Sequence, residues 1–169
     1  DKLSEVLVEL NTEGMDIPFF RLGRIKAMAE NIQHTALESI TAKMESRDEI
    51  QQTIDNSRVV ISTVAGIPPT HIIFKTKRFR CAVIDEASQI LEPTILGLLC
   101  KVDKYILVGD HNQLPAISLH SNNEGKLNEN HPLNSNLGIK SLRDSYFERM
   151  YRRCEANNWK VLAALTGQG

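Results

Sequence analysis

Apolar residues recur at helical spacing at the start of the chain, where Leu3, Val6, Leu7 and Leu10 share one face and Gly14 stands where such a helix would stop. The pattern then changes. Ile17-Pro18-Phe19-Phe20-Arg21-Leu22, closed by Gly23, predicts a strand that begins at its proline. Residues 25–57 are polar and rich in helix formers such as Ala27, Met28, Ala29, Glu30, Leu37, Glu38, Met44 and Glu45, with no proline or glycine among them. That stretch predicts two helices, or one broken near Ser46. Val59-Val60-Ile61, within the stretch 58–64 that is rich in β-branched residues, predicts a strand buried on both faces of a parallel sheet, and Gly66, Pro68 and Pro69 end it.

Two further apolar runs finish in acid. Cys81-Ala82-Val83-Ile84 leads directly into Asp85-Glu86, and Tyr105-Ile106-Leu107-Val108 leads into Gly109-Asp110. Between them Ile95, Leu96, Leu98 and Leu99 form the apolar face expected of a crossover helix that starts near Pro93. Strand, helix and strand in that order predict a right-handed βαβ unit, and with it an α/β class built on a parallel sheet. Residues 118–138 are dense in Ser, Asn, His and Gly, which marks a long exposed loop. Helical spacing returns from Ser141 to Asn157 through Leu142, Tyr146, Phe147, Met150 and Tyr151, and Val161 to Leu165 reads as a last strand.

Length and composition narrow the class of molecule without choosing a function. The 169 residues suit one domain spanning 1–169, and 41% hydrophobic content is enough for a buried core. A formal net charge of −1 provides no general attraction to polyanions, so any nucleic-acid contact must be local. Cys81, Cys100 and Cys154 are odd in number and form no C-x-x-C pair, which fits a reducing cytoplasmic or nuclear setting. Cys81, within a strand expected to be buried, is expected to be inert. No signal-peptide pattern occurs and no apolar stretch approaches the ~20 residues needed to span a bilayer, so a membrane role is not expected. His34, His71, His111, His120 and His131 lack the paired spacing of zinc ligands.

In open parallel sheets ligands sit beyond the carboxyl ends of the strands, where Asp85-Glu86 and Asp110 should emerge together. An Asp-Glu pair at a strand end can hold Mg²⁺ near a triphosphate, with the Asp acting on the ion through water and the Glu orienting the attacking water. A bare Asp-Glu after a strand is more often just the start of a solvated loop. Here it opens the string Asp85-Glu86-Ala87-Ser88-Gln89, followed one helix and one strand later by Gly109-Asp110-His111-Asn112-Gln113-Leu114-Pro115.

These two strings resemble motifs II and III of superfamily 1 helicases. Within that superfamily they are most similar to the 5′-to-3′ branch containing the replication helicase-nuclease and the helicase of nonsense-mediated messenger decay. Phe20-Arg21-Leu22-Gly23 and Val59-Val60-Ile61-Ser62-Thr63 resemble further strands of those enzymes, so the likeness covers about two-thirds of the chain. It implies part of a first RecA-like motor domain, a three-layer P-loop NTPase fold with a parallel sheet flanked by helices, and ATP and Mg²⁺ as cofactors. By the same resemblance Asp85 would bind Mg²⁺, Glu86 would be the catalytic base, and Gln113 would sense the γ-phosphate, with Asp110 supporting it. Thr63, and less directly Ser62, would touch the backbone of single-stranded nucleic acid, DNA in preference to RNA. The bland readings stay open: Gln113 as a loop amide capping a helix, and Ser62 and Thr63 as structural residues at a strand end. Lys75, Lys77, Arg78 and Arg80 lie within six residues, as either a phosphate-facing cluster or a solvated basic turn.

The sequence contains no G-x-x-x-x-G-K-[ST] phosphate loop, so the isolated chain is expected to bind ATP weakly and not to hydrolyse it. Gln168 resembles the first residue of motif IV, which implies a longer helicase whose remaining domains are this chain's partners. Three alternatives remain: a non-catalytic RecA-like module that binds nucleic acid or assembles with partners, an RNA helicase, and another Mg²⁺-dependent phosphate-handling α/β protein.

Overall fold

The computed structural model describes residues 1–110, 126–127, 131–132, 134, 138–139, 141 and 144–159, and the chain divides into two compact units, Asp1–Phe79 and Arg80–Gly169.

In the first unit, helix α1 (Lys2–Thr12) ends before Gly14 as its spacing predicts, yet it buries Leu7 and Ser4 while Leu3 and Val6 stay exposed. Strand β1 (Phe19–Arg21) pairs in parallel with β2 (Val59–Ile61), in the register Phe19 with Val59, Phe20 with Val60 and Arg21 with Ile61. The carbonyl of Pro18, a residue that cannot donate, accepts from Arg58 N at 2.7 Å, and Leu22 N donates to Ile61 O at 2.8 Å. Phe20 is fully buried, whereas all three β2 residues are only half-buried. The expectation that β2 is buried on both faces is therefore corrected: β1 is its one strand partner among the described residues.

The stretch 25–57 also departs from expectation in its first half. It forms two 3₁₀ turns, Ile25–Ala27 and Glu30–Thr35, then the short helix α2 (Leu37–Thr41) and helix α3 (Arg47–Asn56). Ala29 and Ala36 take extended backbone, with ψ of 143° and 135°, and Ala36 makes a parallel bridge to Arg21. Those breaks let Met28, Ile32 and Ala36 pack as one cluster, a case of tertiary contact overriding helix propensity. The break near Ser46 occurs as expected, and Ser46 Oγ caps α3 by accepting from Asp48 N at 3.1 Å, with Asp48 and Glu49 in the first turn. Helix α4 (Ile73–Thr76) buries Ile73, and Phe74 meets the Phe79 ring edge-to-face at 5.7 Å.

The second unit holds all but the first residue of β3 (Phe79–Ile84), with α5 (Glu92–Leu99), β4 (Val102–Leu107) and α6 (Tyr146–Ala156). Strands β3 and β4 pair. At their ends Val108 N donates to Ile84 O and Ala87 N donates to Val108 O, both at 2.8 Å. These two bonds advance along both strands together, the signature of a parallel pair, and α5 is the connection that parallel pairing requires. Proline in the first turn starts α5, which buries Ile95, Leu98 and Leu99 while Leu96 faces out. Ser145 Oγ caps α6 by accepting from Glu148 N at 3.1 Å, an S-x-x-E capping box that starts the helix later than Ser141.

Burial in this strand pair corrects a second expectation. Val83 is 67% exposed, Cys81 is exposed, and Tyr105, Ile106 and Val108 all reach the surface. With one strand neighbour each among the described residues, both strands expose successive side chains, Arg80 and Cys81 in β3 and Asp103 through Ile106 in β4. Cys81 is thus not the buried thiol its apolar run suggested. The final strand at 161–165 and most of the 118–138 loop lie outside the described residues. Among those residues no helix is long and apolar enough to cross a membrane.

Candidate functional site

β3 delivers its carboxylates through a sharp turn. After Ile84 the chain steps away from the ladder for Asp85 and Glu86, then returns at Ala87, whose N–H bonds Val108 O. Glu86 accommodates the detour in the left-handed region, at φ 51° and ψ 34°, where non-glycine residues are uncommon and which has a conformational cost of about 1 kcal/mol. Asp85 Oδ1 accepts the Glu86 N–H at 2.9 Å, and Gln89 N donates to Glu86 O at 2.9 Å to close the 3₁₀ turn Ala87–Gln89. Gln89 Nε2 also donates to Glu86 Oε2 at 3.0 Å, leaving Oε1 free to accept from another group. Both carboxylates are exposed, while Ala87 and Ser88 beneath them are buried.

The neighbouring strand supplies the other wall. A Cβ built on Gly109 would lie 3.0 Å from Ser88 N, 3.3 Å from Ser88 Oγ and 3.4 Å from Ala87 N, so a side chain there would press on the carboxylate turn. Glycine at 109 lets the two strand ends approach closely, and Asp110 follows it on the exposed side. Because Ile84 and Val108 are bonded neighbours, Asp85, Glu86 and Asp110 leave the strand pair at the same end.

The donor set at this edge is oxygen only, and neither Asp85 nor Glu86 has an ion pair among the described residues. No group of three or more His, Cys, Asp or Glu side chains lies close enough to cage a metal among those residues. That arrangement suits Mg²⁺, which is held by one or two carboxylates and keeps water and phosphate oxygens for its remaining positions. A zinc-type cage has no counterpart there.

Ser62 and Thr63 belong to the first unit, just past β2. Thr63 Oγ1 accepts from Gly66 N at 3.1 Å and caps the 3₁₀ turn Val64–Gly66, which leaves its own O–H to donate outward. Ser62 Oγ already donates to Thr63 O at 3.1 Å, so its hydrogen is committed. A Cβ on Gly66 would come within 2.9 Å of Thr63 Oγ1, so this turn too depends on a bare backbone.

In the neighbouring basic stretch, Lys77 Nζ donates to Ile54 O at 2.8 Å and Asp55 O at 3.0 Å, closing the C-terminus of α3. Lys77 is therefore structural, and the cluster of four basic residues loses one member. Gln113 and His111 lie outside the described residues.

Sequence reasoning missed the network that fixes α6 beside the site. Arg149 Nε and Nη2 donate to the two Glu92 oxygens at 2.8 and 2.5 Å, and both side chains are about nine-tenths buried. Arg149 also lies 5.2 Å from the Tyr146 ring centroid, and the Tyr146 and Tyr105 hydroxyls are 2.7 Å apart. Burial, then the Tyr105 hydrogen bond, pushes Tyr146 up to about 12, and the Glu92 hydrogen bond raises Arg149 further above its ordinary range. Glu92 at a helix start and the S-x-x-E at 145–148 were visible signals, but the pairing of residues 57 positions apart was not.

Comparison with known proteins follows the same residues. A family model described as AAA domain matches residues 21–121, a span that contains Ser62, Thr63, Asp85, Glu86, Asp110 and Gln113. The DNA replication ATP-dependent helicase/nuclease of Xenopus laevis is 34% identical over 110 residues, which is 64% of this chain and 10% of that protein. Its namesake in Bos taurus is 37% identical over 106 residues, 62% of this chain and 10% of that protein. The Arabidopsis thaliana helicase/nuclease is 33% identical over 115 residues, 68% of this chain and 8% of that protein. The chain thus spans about a tenth of the length of these curated relatives.

Proposed function

This chain belongs to the AAA domain family, and from that premise we propose that it is the part of an ATP-dependent DNA helicase that carries the Mg²⁺ and hydrolysis residues. The observation that carries the reading is the carboxylate turn: Asp85 and Glu86 exposed at the end of β3, with Glu86 in left-handed backbone and one of its oxygens held by Gln89. Similarity to the DNA replication helicase/nucleases supports helicase chemistry and DNA over RNA as the strand engaged.

Mg²⁺ and the triphosphate, when bound, supply the electrophilic phosphorus and spread its developing charge. Asp85 would hold the ion through water. Glu86 accepts a proton from the attacking water at Oε1, the oxygen that Gln89 leaves open. Gln113 reads the γ-phosphate and Asp110 braces that segment. Thr63 donates its free hydroxyl to a backbone phosphate of the single strand, and Ser62 orients the Thr63 carbonyl. The remaining helicase domains of the same protein provide the phosphate loop and the second wall of the ATP site. The isolated chain does not turn over ATP, and the parent protein acts in the nucleus or cytoplasm.

The test is the Mg²⁺ dependence of strand-stimulated ATP hydrolysis by the full-length gene product. Asp85→Asn raises the Mg²⁺ concentration for half-maximal rate about tenfold or more, the loss of the charged oxygen that holds an ion-bound water, while single-stranded DNA affinity is unchanged. An unaltered Mg²⁺ requirement contradicts the role of Asp85.

A further inference from the structure

Directly beneath the exposed carboxylates lies a polar group with nothing to bond. Ser88 is 7% exposed, its Oγ is buried, and that oxygen makes no hydrogen bond among the described residues. Buried hydroxyls are ordinarily paired, because removing one from water without a partner is unfavourable. The other buried hydroxyls among the described residues follow the rule: Ser4 accepts from Arg21 Nη1, Thr35 donates to Ile32 O, Ser57 donates to Thr53 O, and Ser145 accepts from Glu148 N. Ser88 differs in its neighbour. Its Oγ faces the bare backbone of Gly109, 3.3 Å from where a Cβ would stand, and its N is 3.0 Å from the same point. No side chain separates the Ala87–Ser88 turn from the Gly109–Asp110 turn, so one can slide on the other by a few tenths of an ångström without a steric obstacle.

Resting on the motor reading above, we propose that Ser88 is a positioning residue whose hydroxyl acquires a hydrogen bond from the Gly109–Asp110 backbone only in the nucleotide-bound state. A nucleotide gripped by Asp85 and Glu86 draws the two strand ends together, and the unpaired hydroxyl then finds its partner. A bond present in one state and absent in the other favours the state that has it, so Ser88 tightens nucleotide binding and sets where Asp110 stands. At Ser88 the free protein tolerates an unsatisfied group, and the bound protein satisfies it.

The proposal separates stability from affinity. In the full-length gene product, Ser88→Ala removes a hydroxyl that bonds nothing in the free state, so the nucleotide-free melting temperature stays the same or rises. Its Kd for a Mg²⁺ complex of a non-hydrolysable ATP analogue rises about tenfold, the loss of one ordinary hydrogen bond. Two results overturn the proposal: a wild-type Kd in Ser88→Ala, or a melting temperature lowered by several degrees with no change in Kd, which would make the hydroxyl merely structural. A wild type that binds no nucleotide at all overturns the motor reading itself and this proposal with it. Failure of the proposal alone is distinct, since wild type then binds and the variant binds equally well.

Discussion

Removing one half of the Glu92–Arg149 pair should be far more damaging than removing both. The two hydrogen bonds, at 2.8 and 2.5 Å, join side chains that are 10–11% exposed. Arg149→Met leaves the Glu92 carboxylate buried at the start of α5 without its partner, and breaking a buried pair this way costs roughly 3–5 kcal/mol. The small residual exposure reduces that to about 2–4 kcal/mol. For a unit of this size each kcal/mol shifts the melting temperature by about 4–8 °C, so a fall of roughly 10–30 °C is expected. Glu92→Leu should cost a similar amount, since it strands the guanidinium over Tyr146.

The double variant behaves differently. Two apolar side chains of comparable volume can pack where the ions met, and such replacements are often neutral. Some loss remains, because the Arg149 contact with the Tyr146 ring and the acidic first turn of α5 are each worth about 0.3–1 kcal/mol. Thermal unfolding of the wild type, both singles and the double gives the coupling energy, expected to be about 2 kcal/mol or more. Additive singles, with coupling under about 0.5 kcal/mol, would show that the pair contributes no more than an exposed one.

Two other consequences can be checked on the same protein. Gly109→Ala places a methyl 3.0 Å from Ser88 N, which can give way only if the whole carboxylate turn is pushed from its free-state position, and should lower stability by about 1–3 kcal/mol in denaturant unfolding; an unchanged midpoint would mean that the turns do not press on each other. Tyr146 sets an alkaline limit: with its pKa near 12 when folded and 10.0 when unfolded, both states keep the proton below pH 10, and above it the unfolded chain releases its proton first. Stability is therefore complete below pH 10 and falls as pH rises through 12, so wild type should lose more of it than Tyr146→Phe between those limits, and parallel curves would refute the assignment.

How far the sequence was legible depends on whether local or distant residues decide each element. Pro93 near the start of α5, Ser46 at the start of α3 and the apolar runs before Asp85 and Gly109 are local signals, and the elements stand where those signals put them. Residues 25–35 misled because helix propensity there yields to an Ala36–Arg21 bridge and a packed Met28–Ile32–Ala36 cluster, both made with chain that propensity does not see. Uniform β-branching at Val59–Ile61 suggested full burial, but burial depends on how many neighbours a strand has, which periodicity does not state.

The site divides the same way. Asp85, Glu86 and Asp110 were visible because strand ends and motif strings are sequential, and the structure brings them to one end of one strand pair. The left-handed Glu86, the Gln89 hold on its carboxylate and the unpaired Ser88 hydroxyl are matters of backbone geometry with no composition signal. Lys77 shows the reverse, since a residue that looked available for phosphate closes a helix instead.

The most direct test of the motor reading is ATP hydrolysis by the full-length gene product, with and without single-stranded DNA, beside Glu86→Gln. The substitution keeps the shape of the side chain and its place beside Gln89 while removing the base. The account predicts strand-stimulated turnover in the wild type and a loss of about 10²-fold or more in the variant, with single-stranded DNA binding retained. Turnover in Glu86→Gln at the wild-type rate, or a folded wild type with none, would contradict it.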